Sequence, residues 1–211
     1  MKSEQPLVLR DVSRLVELAR PLEKEANIFR IYNVFDDGGY RTLLLLEMLS
    51  LHKAAEGRLG DDARDGEGRT YELKTINLVS TSGEEKMAYP GVTTEHTLTR
   101  DNVARYRNTH AWVIGVFKGN QPLDVYVMPS AELEPYFKEW EAKLDAKEQA
   151  AQAATQSAAA TTKKKEKVAL NNPKIPFVFV LQKARHAVVP GTEGMGRPKP
   201  PSRGGAPPVG G

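Results

Sequence analysis

The chain has 211 residues, a formal net charge of +3 and a charged fraction of 27%, which is ordinary for one globular domain with appendages. It has no cysteine, which excludes disulfides, zinc–thiolate sites and a thiol nucleophile, and no apolar run approaches the ~18 residues of a membrane span. A pI near 9.0 is compatible with nucleic-acid binding without arguing for it, and the lack of an apolar N-terminal segment favours a cytoplasmic protein.

The N-terminal part of the sequence predicts two helices separated by a turn. Asp11 can cap a helix over about 12–26, whose apolar residues recur along one stripe. The segment 33–39 ends in Asp-Asp-Gly-Gly and is typical of a turn. A second helix is predicted from about Tyr40 to Lys53, and it should be buried because its leucines lie on several sides.

A strand predicted over 70–78 carries side chains that suggest a catalytic or metal-binding role. Side chains alternate along a strand, so Glu72 and Lys74 point to the same face, about 7 Å apart. Asp62 precedes them across a glycine-containing turn that could fold it back beside them. Two carboxylates and an ammonium at one place suit a hard divalent cation and the charge of a phosphate group. The alternative is a solvated strand edge with a surface Glu–Lys pair.

The second half of the sequence predicts a β-hairpin followed by a long helix. A short helix or turn over 101–107 precedes strands at 111–117 and 123–128, which are joined by a turn at Gly119-Asn120. Ser130 then caps a helix whose large side chains recur at helical spacing, which is typical of core packing; they are Leu133, Phe137, Trp140 and Leu144.

Composition divides the chain into one domain, over 1–146 and 168–189, and two appendages. Residues 147–167 are rich in Ala, Gln, Thr and Lys and predict a low-complexity insertion whose first part can continue the preceding helix. A last strand is predicted at 177–181. Residues 190–211 predict a disordered Pro/Gly/Arg tail. The tail and the lysine run of the insertion either attract phosphates or act as solvated tethers.

Five segments of the sequence carry a likeness to a known group of enzymes. They are 36–39 with the leucine-rich helix behind it, 62–77, 91–107, 137–141 and 171–176. In this order they resemble the family of PvuII-like restriction endonucleases, within the PD-(D/E)xK nuclease superfamily. The Asn-Asn-Pro-Lys-Ile-Pro run at 171–176 is the most specific of them. The resemblance implies an α+β fold in which a mixed central sheet is flanked by helices and carries the Glu72 strand.

The resemblance also implies an activity and its catalytic residues. Members are type II enzymes: homodimers that use Mg²⁺ to hydrolyse both strands of a palindromic double-stranded DNA site, alongside a DNA methyltransferase that protects host DNA. Asp62 and Glu72 match the metal ligands, with the Leu73 carbonyl as a candidate third ligand. Lys74 matches the residue that orients or activates the attacking water. Tyr106 matches a tyrosine near the scissile phosphate.

Base-reading residues carry over less completely. Asn171 and Asn172 match paired asparagines in the major groove, where an amide can pair bidentately with adenine for ~1–3 kcal/mol of discrimination. The alternative is an Asn-Asn turn before proline. His96 matches one of a run of histidines, but Glu95 and Thr97 stand where the family has histidine, so the target sequence can differ.

Several alternatives stay open on the sequence alone. Asp36 and Asp37 either face the minor groove, where a carboxylate accepts from the guanine amine, or belong to an ordinary turn. The N-terminal helix is expected to serve dimerisation. The same residues also suit a structure-specific PD-(D/E)xK nuclease of repair or recombination, or a sequence-specific DNA-binding protein with a silent site.

Overall fold

The computed structural model describes residues 13–28, 34–35, 38–54, 61–80, 82–86, 88–157 and 168–187. It forms two compact units, Met1–Tyr40 and Arg41–Gly211. The first unit contains α1 (Ser13–Ile28), close to the predicted helix. In the described part of the chain, the large apolar side chains that are exposed all belong to this unit; they are Leu18, Leu22, Ile28, Phe35 and Tyr40.

The second unit is built on a six-stranded mixed sheet. Its strands are β1 (His52–Lys53), β2 (Ala63–Arg64), β3 (Thr70–Asn77), β6 (Ala111–Lys118), β7 (Gln121–Pro129) and β10 (Arg185–Ala187). They lie in the order β1-β2-β3-β6-β7-β10, with β3 and β6 parallel and the other neighbours antiparallel. Two small antiparallel pairs complete the strands: β4 (Val92–Thr93) with β9 (Lys174–Ile175), and β5 (Thr97–Leu98) with β8 (Leu170–Asn171).

Strand alternation divides the core into two layers. On one face of β6, Trp112, Ile114 and Val116 are buried among the residues of the larger cluster, whereas Val113 and Phe117 are buried in the smaller cluster on the other face. The hairpin between β6 and β7 turns as predicted, because Gly119 adopts φ 63. The Glu72 strand therefore lies inside the sheet, paired with a strand that is buried on both faces.

In the described part of the chain, four further helices accompany the sheet: α2 (Gly39–Met48), α3 (Arg100–Asn108), α4 (Glu134–Ser157) and α5 (Phe177–Lys183). Thr99 caps α3 reciprocally with Asn102. Arg107 on α3 bridges Glu134 and Glu141 of α4, which fixes one helix against the other. Within the described residues no helix is both long and apolar enough to cross a membrane.

Two predictions of where helices begin or end were wrong. The second helix ends at Met48, and Lys53 belongs to β1, because Ser50 takes a positive φ of 52 and stops the helix. Ser130 does not cap α4: it lies in a short 3₁₀ helix, Ser130–Leu133, and its buried hydroxyl has no hydrogen-bond partner in the described structure. The packing residues of that helix are nevertheless buried as predicted; they are Leu133, Phe137, Trp140 and Leu144.

The predicted last strand at 177–181 is instead the helix α5. Its β-branched and aromatic residues favour a strand, but Phe177 and Val180 are both buried, and a helix places residues three apart on one face. Pro176 precedes the helix at φ −58, which suits its N-terminus. The strand that ends the described chain is β10, which pairs with β7 at the sheet edge.

The predicted insertion is helical at its start, since α4 runs to Ser157. The rest of the insertion, the whole tail at 190–211, the capping residue Asp11, and Asp36 and Asp37 lie outside the described residues. The prediction of a mixed central sheet flanked by helices is confirmed.

Candidate active site

The structure brings Asp62, Glu72 and Lys74 together at the centre of the sheet. Lys74 Nζ lies 2.7 Å from Glu72 Oε1 on the same face of β3. Because β2 and β3 pair through Ala63 and Tyr71, Asp62 falls beside the same stretch of β3. Its Oδ2 accepts a 2.8 Å hydrogen bond from the N–H of Leu73. The turn between β2 and β3 therefore folds the aspartate back as the sequence predicted.

The Glu72 carboxylate is buried, with a side chain only 1% exposed. Both of its oxygens are paired: Oε1 with Lys74, and Oε2 with Arg105 NH1 at 2.5 Å. A buried carboxylate without partners would be strongly destabilising, and these two cationic groups are its partners. The alternative of a solvated surface Glu–Lys pair is therefore wrong.

Asp62 is also in an unfavourable place for a charge. Burial, followed by the charge of the neighbouring Glu72 carboxylate, raises the pKa of its carboxyl from the ordinary 3.8 to about 6. Lys74, the Leu73 N–H and Arg105 oppose this rise in pKa but do not cancel it. A carboxylate whose ionised form is disfavoured by burial and by a neighbouring carboxylate creates a place where a bound cation is stabilising.

The oxygen donors at this place fit a hard divalent ion. In an extended strand the N–H and C=O of one residue point to the same edge, so the Leu73 carbonyl lies on the Asp62 side of β3. Asp62, Glu72 and this carbonyl offer only oxygen, the donor atom that Mg²⁺ prefers. Among the described residues no group of three or more His, Cys, Asp or Glu side chains is placed to hold a metal.

Lys74 is held in one place by its surroundings. Its Nζ donates to the main-chain carbonyl of Thr94 at 3.2 Å, in addition to pairing with Glu72. It also lies 5.8 and 5.7 Å from the ring centroids of Tyr106 and Trp112, within cation–π range. These four contacts, with Glu72, Thr94 and the two aromatic rings, hold the Lys74 ammonium in one orientation.

Arg105 and Glu95 are site residues that sequence reasoning did not predict. From α3, Arg105 reaches Glu72 with NH1 and Glu95 Oε1 with NH2 at 3.4 Å, and its guanidinium stacks 4.6 Å from the Tyr106 ring centroid. In the sequence, Glu95 is notable only because it stands where the family has histidine. The one signal for Arg105 is that it directly precedes Tyr106. That signal is weak, because arginines on short polar helices are usually solvated.

Tyr106 lies beneath this cluster and is fully buried. Its hydroxyl donates to Glu95 Oε1 at 3.1 Å. Burial, followed by the charges of Glu72 and Glu95, raises the pKa of the phenol, so the hydroxyl stays protonated and remains a donor. The tyrosine matched to the scissile phosphate thus supports Lys74 and Arg105 from the protein interior.

Four other predicted DNA-contacting residues also come together, on β5 and β8 and the residues that flank them, whereas Asp36 lies outside the described residues. Thr97 pairs directly with Asn171, and the N–H of Asn172 donates to the His96 carbonyl at 3.0 Å. We call these four residues the recognition cluster. His96, Thr97 and Asn171 are exposed. Asn172 has a left-handed φ of 45, and its buried Oδ1 has no hydrogen-bond partner in the described structure.

Comparison with known proteins identifies the family. A family model described as restriction endonuclease PvuII matches residues 8–188, well over half of the 211-residue chain. The chain belongs to the PvuII restriction endonuclease family. The match covers both the clustered carboxylates and the recognition cluster, and it makes the chain an endonuclease of a restriction system, with DNA implied as its substrate. This confirms the family resemblance seen in the sequence.

Proposed function

We propose that this endonuclease is a type II enzyme that uses Mg²⁺ to hydrolyse phosphodiester bonds in both strands of a short palindromic double-stranded DNA site. The observation that carries the proposal is the convergence of Asp62, Glu72 and Lys74 on one buried, charged place in a member of a restriction endonuclease family. A surface role would not require a carboxylate that is 1% exposed.

Asp62, Glu72 and the Leu73 carbonyl are the proposed ligands of Mg²⁺. When bound, the ion would lower the pKa of a water molecule that it coordinates and place positive charge near the scissile phosphate. The Lys74 ammonium orients the attacking water and offsets the charge that builds on the phosphate oxygens. Its fixed position, between Glu72, Thr94 and two aromatic rings, supports this role because orientation needs no rearrangement at the moment of reaction.

The recognition cluster is the proposed reader of base edges. Exposed side chains at His96, Thr97 and Asn171 can reach a major groove, and an asparagine amide can donate to and accept from adenine at the same time. Asn172 lies beside them, and its Oδ1 is buried without a hydrogen-bond partner in the described structure, so we propose that its side chain turns outward to meet a base. Asp36 is proposed to act from the minor-groove side, and Tyr106 to support the groups beside the scissile phosphate.

A homodimer is the proposed active form, because cutting both strands of a palindrome needs two sites related by a two-fold axis. The exposed apolar side chains of the first unit, including Leu18, Leu22 and Ile28, support an interface there. Leu18 and Leu22 are four positions apart on α1 and so share one face of the helix, and an exposed apolar face is typical of protein–protein contact. A cytoplasmic location and a partner DNA methyltransferase complete the proposal.

The test is digestion of unmethylated plasmid and phage DNA by the purified protein with Mg²⁺, with EDTA and the Lys74→Ala variant as controls. Discrete fragments whose ends share one sequence support the proposal. A failure to cut any unmethylated DNA with Mg²⁺ would contradict it. Preferential cutting of branched or nicked DNA would indicate a repair nuclease, and a site-specific gel shift without cleavage would indicate a DNA-binding protein.

A further inference from the structure

Glu95 occupies a position between the recognition cluster and the candidate metal ligands. It immediately precedes His96 in the chain, yet its side chain turns toward the carboxylates: Oε1 accepts from Tyr106 and from Arg105 NH2. Thr94, on its other side, accepts from Lys74. The glutamate is 38% exposed, so it lies at the rim of the site. Its contacts place it in the charge network around Glu72.

Arg105 spans two carboxylates with one guanidinium. NH1 pairs with Glu72 and NH2 with Glu95, while the side chain itself is only 14% exposed. Any cation that binds Glu72 competes with Arg105 for the same oxygens. An arginine left without an anionic partner at this depth would be strongly unfavourable. Glu95 supplies a second partner, which allows the guanidinium to remain paired when Glu72 turns to a metal ion.

The net charge of the cluster also indicates that Glu95 favours binding of a divalent cation. Asp62, Glu72 and Glu95 carry three negative charges, and Lys74 and Arg105 carry two positive charges, so the ionised cluster has a net charge of −1. This net negative charge attracts a divalent cation. Without the Glu95 charge the net charge would be zero, and Arg105 would have Glu72 as its only anionic partner among these groups.

We propose that Glu95 is a positioning residue that competes with Glu72 for the guanidinium of Arg105 and thereby sets the affinity of the site for a divalent cation. The inference rests on the proposed function, in which Asp62 and Glu72 hold Mg²⁺. Glu95 touches neither the ion nor DNA in this role: it acts through the guanidinium of Arg105. Because Glu95 directly precedes His96, the residue proposed to set the metal affinity lies in the same segment as part of the recognition cluster.

The test is isothermal titration calorimetry of the purified protein with MgCl₂, without DNA, for six proteins. These are the natural chain, Glu95→Gln, Glu95→Asp, Arg105→Gln, the double variant Glu95→Gln/Arg105→Gln, and the control Glu139→Gln. The control also removes one exposed carboxylate, but on α4, where Glu139 pairs with Lys143. Thermal melting of each variant verifies that it is folded.

Glu95→Gln keeps an acceptor oxygen for Tyr106 but removes the charge, so the dissociation constant for Mg²⁺ should rise roughly two- to tenfold. Glu95→Asp keeps the charge and should stay within about twofold of the natural chain, as should the control. The double variant restores the net charge of −1 and frees Glu72 from Arg105, so its affinity should return to within about twofold.

Two results would overturn the inference while leaving the proposed function intact: Mg²⁺ binding to the natural chain that Glu95→Gln does not weaken, or weakening that the double variant does not reverse. A natural chain that binds no Mg²⁺ would instead contradict the proposed metal site itself, and this inference with it.

Even if Glu95→Gln fails to fold, the comparison of Arg105→Gln with the natural chain remains. Release of Glu72 should then tighten Mg²⁺ binding, and an unchanged affinity would overturn the inference.

Discussion

Lys74 donates a hydrogen bond from Nζ to the main-chain carbonyl of Thr94, 3.2 Å away, two residues before His96 in the sequence. Thr94 in turn donates from its N–H and its hydroxyl to the Pro173 carbonyl, directly after Asn172. Both segments of the recognition cluster are thus anchored, through Thr94, to the ammonium beside Glu72. A movement of these segments would be transmitted to Lys74 and, through its ion pair, to Glu72.

Lys74→Ala should abolish cleavage and leave DNA binding nearly intact. The substitution removes the ammonium that is proposed to orient water and offset phosphate charge, a contribution typically worth at least ~100-fold in rate. Binding in Ca²⁺, measured by gel shift on a cleavable duplex, should change only a few-fold, because the exposed residues of the recognition cluster are untouched. Lys143→Ala, which removes an exposed lysine of α4, is the matched control. If binding and thermal stability are lost together with cleavage, Lys74 holds the fold instead.

Asn172→Gly should weaken sequence discrimination without lowering stability. Asn172 has φ 45, a conformation that glycine adopts freely and alanine does not, so glycine removes the amide without adding backbone strain. It also removes a buried Oδ1 that has no partner in the described structure. Loss of one bidentate base contact corresponds to ~1–3 kcal/mol, or roughly 5- to 150-fold in relative cutting of cognate over single-substitution sites.

Competitive digestion of cognate and near-cognate duplexes measures this ratio, and gel shifts on random duplexes measure nonspecific binding. The nonspecific affinity should not change, since phosphate contacts elsewhere supply it. An unaltered preference among near-cognate sites would show that Asn172 is a turn residue and reads no base. Asn171→Ala, at an exposed position of β8, tests the second asparagine without a backbone effect.

The convergence of Asp62, Glu72 and Lys74 was predictable because it follows from local rules. Strand alternation places Glu72 and Lys74 on one face, and the glycine-containing turn returns Asp62 to the same strand. Arg105 and Glu95 were not predictable in this way. Their roles depend on where α3 lies against the sheet, which is a tertiary arrangement that no spacing in the sequence encodes.

The fold shows the same division between local and tertiary information. The β6–β7 hairpin was predicted from its turn residues and is present, and the segment predicted as a short helix or turn over 101–107 is the helix α3. The segment 177–181 was predicted as a strand from β-branched and aromatic residues, but packing of Phe177 and Val180 in the core makes it helical. A short apolar run does not by itself distinguish a strand from a buried helix.

Gly115→Ala should destabilise the second unit. Gly115 pairs with Thr75 and Val125 inside the sheet, and an added Cβ would lie 2.6 Å from Phe117 Cε2 and 2.7 Å from Leu45 Cδ2. Overpacking of a core typically lowers the free energy of unfolding by ~1–3 kcal/mol. Chemical denaturation measures it. Gly66→Ala is the control, because no atom lies within 4 Å of its added Cβ. Equal stability of the two variants would contradict this account of the core.

Asp62→Asn should stabilise the metal-free protein at neutral pH. Burial raises the pKa of Asp62 to about 6, from an ordinary value of 3.8 that applies in the unfolded chain. Between these values the folded state binds the proton more tightly, so the natural chain loses stability as pH rises from about 4 to about 6. Asparagine does not titrate, and its Oδ1 can still accept from the Leu73 N–H.

The gain in stability of Asp62→Asn over the natural chain should therefore be absent near pH 4 and reach ~1–3 kcal/mol above pH 6. Urea denaturation in EDTA at several pH values measures it, with Asp61→Asn as the neighbouring control, since Asp61 instead accepts from Thr109. Added Mg²⁺ should reverse the order by stabilising only the natural chain, because the ion binds the folded site and needs the Asp62 carboxylate. A variant that is less stable in EDTA at pH 7 would show that the Asp62 charge supports the fold, and would remove the reason for a cation there.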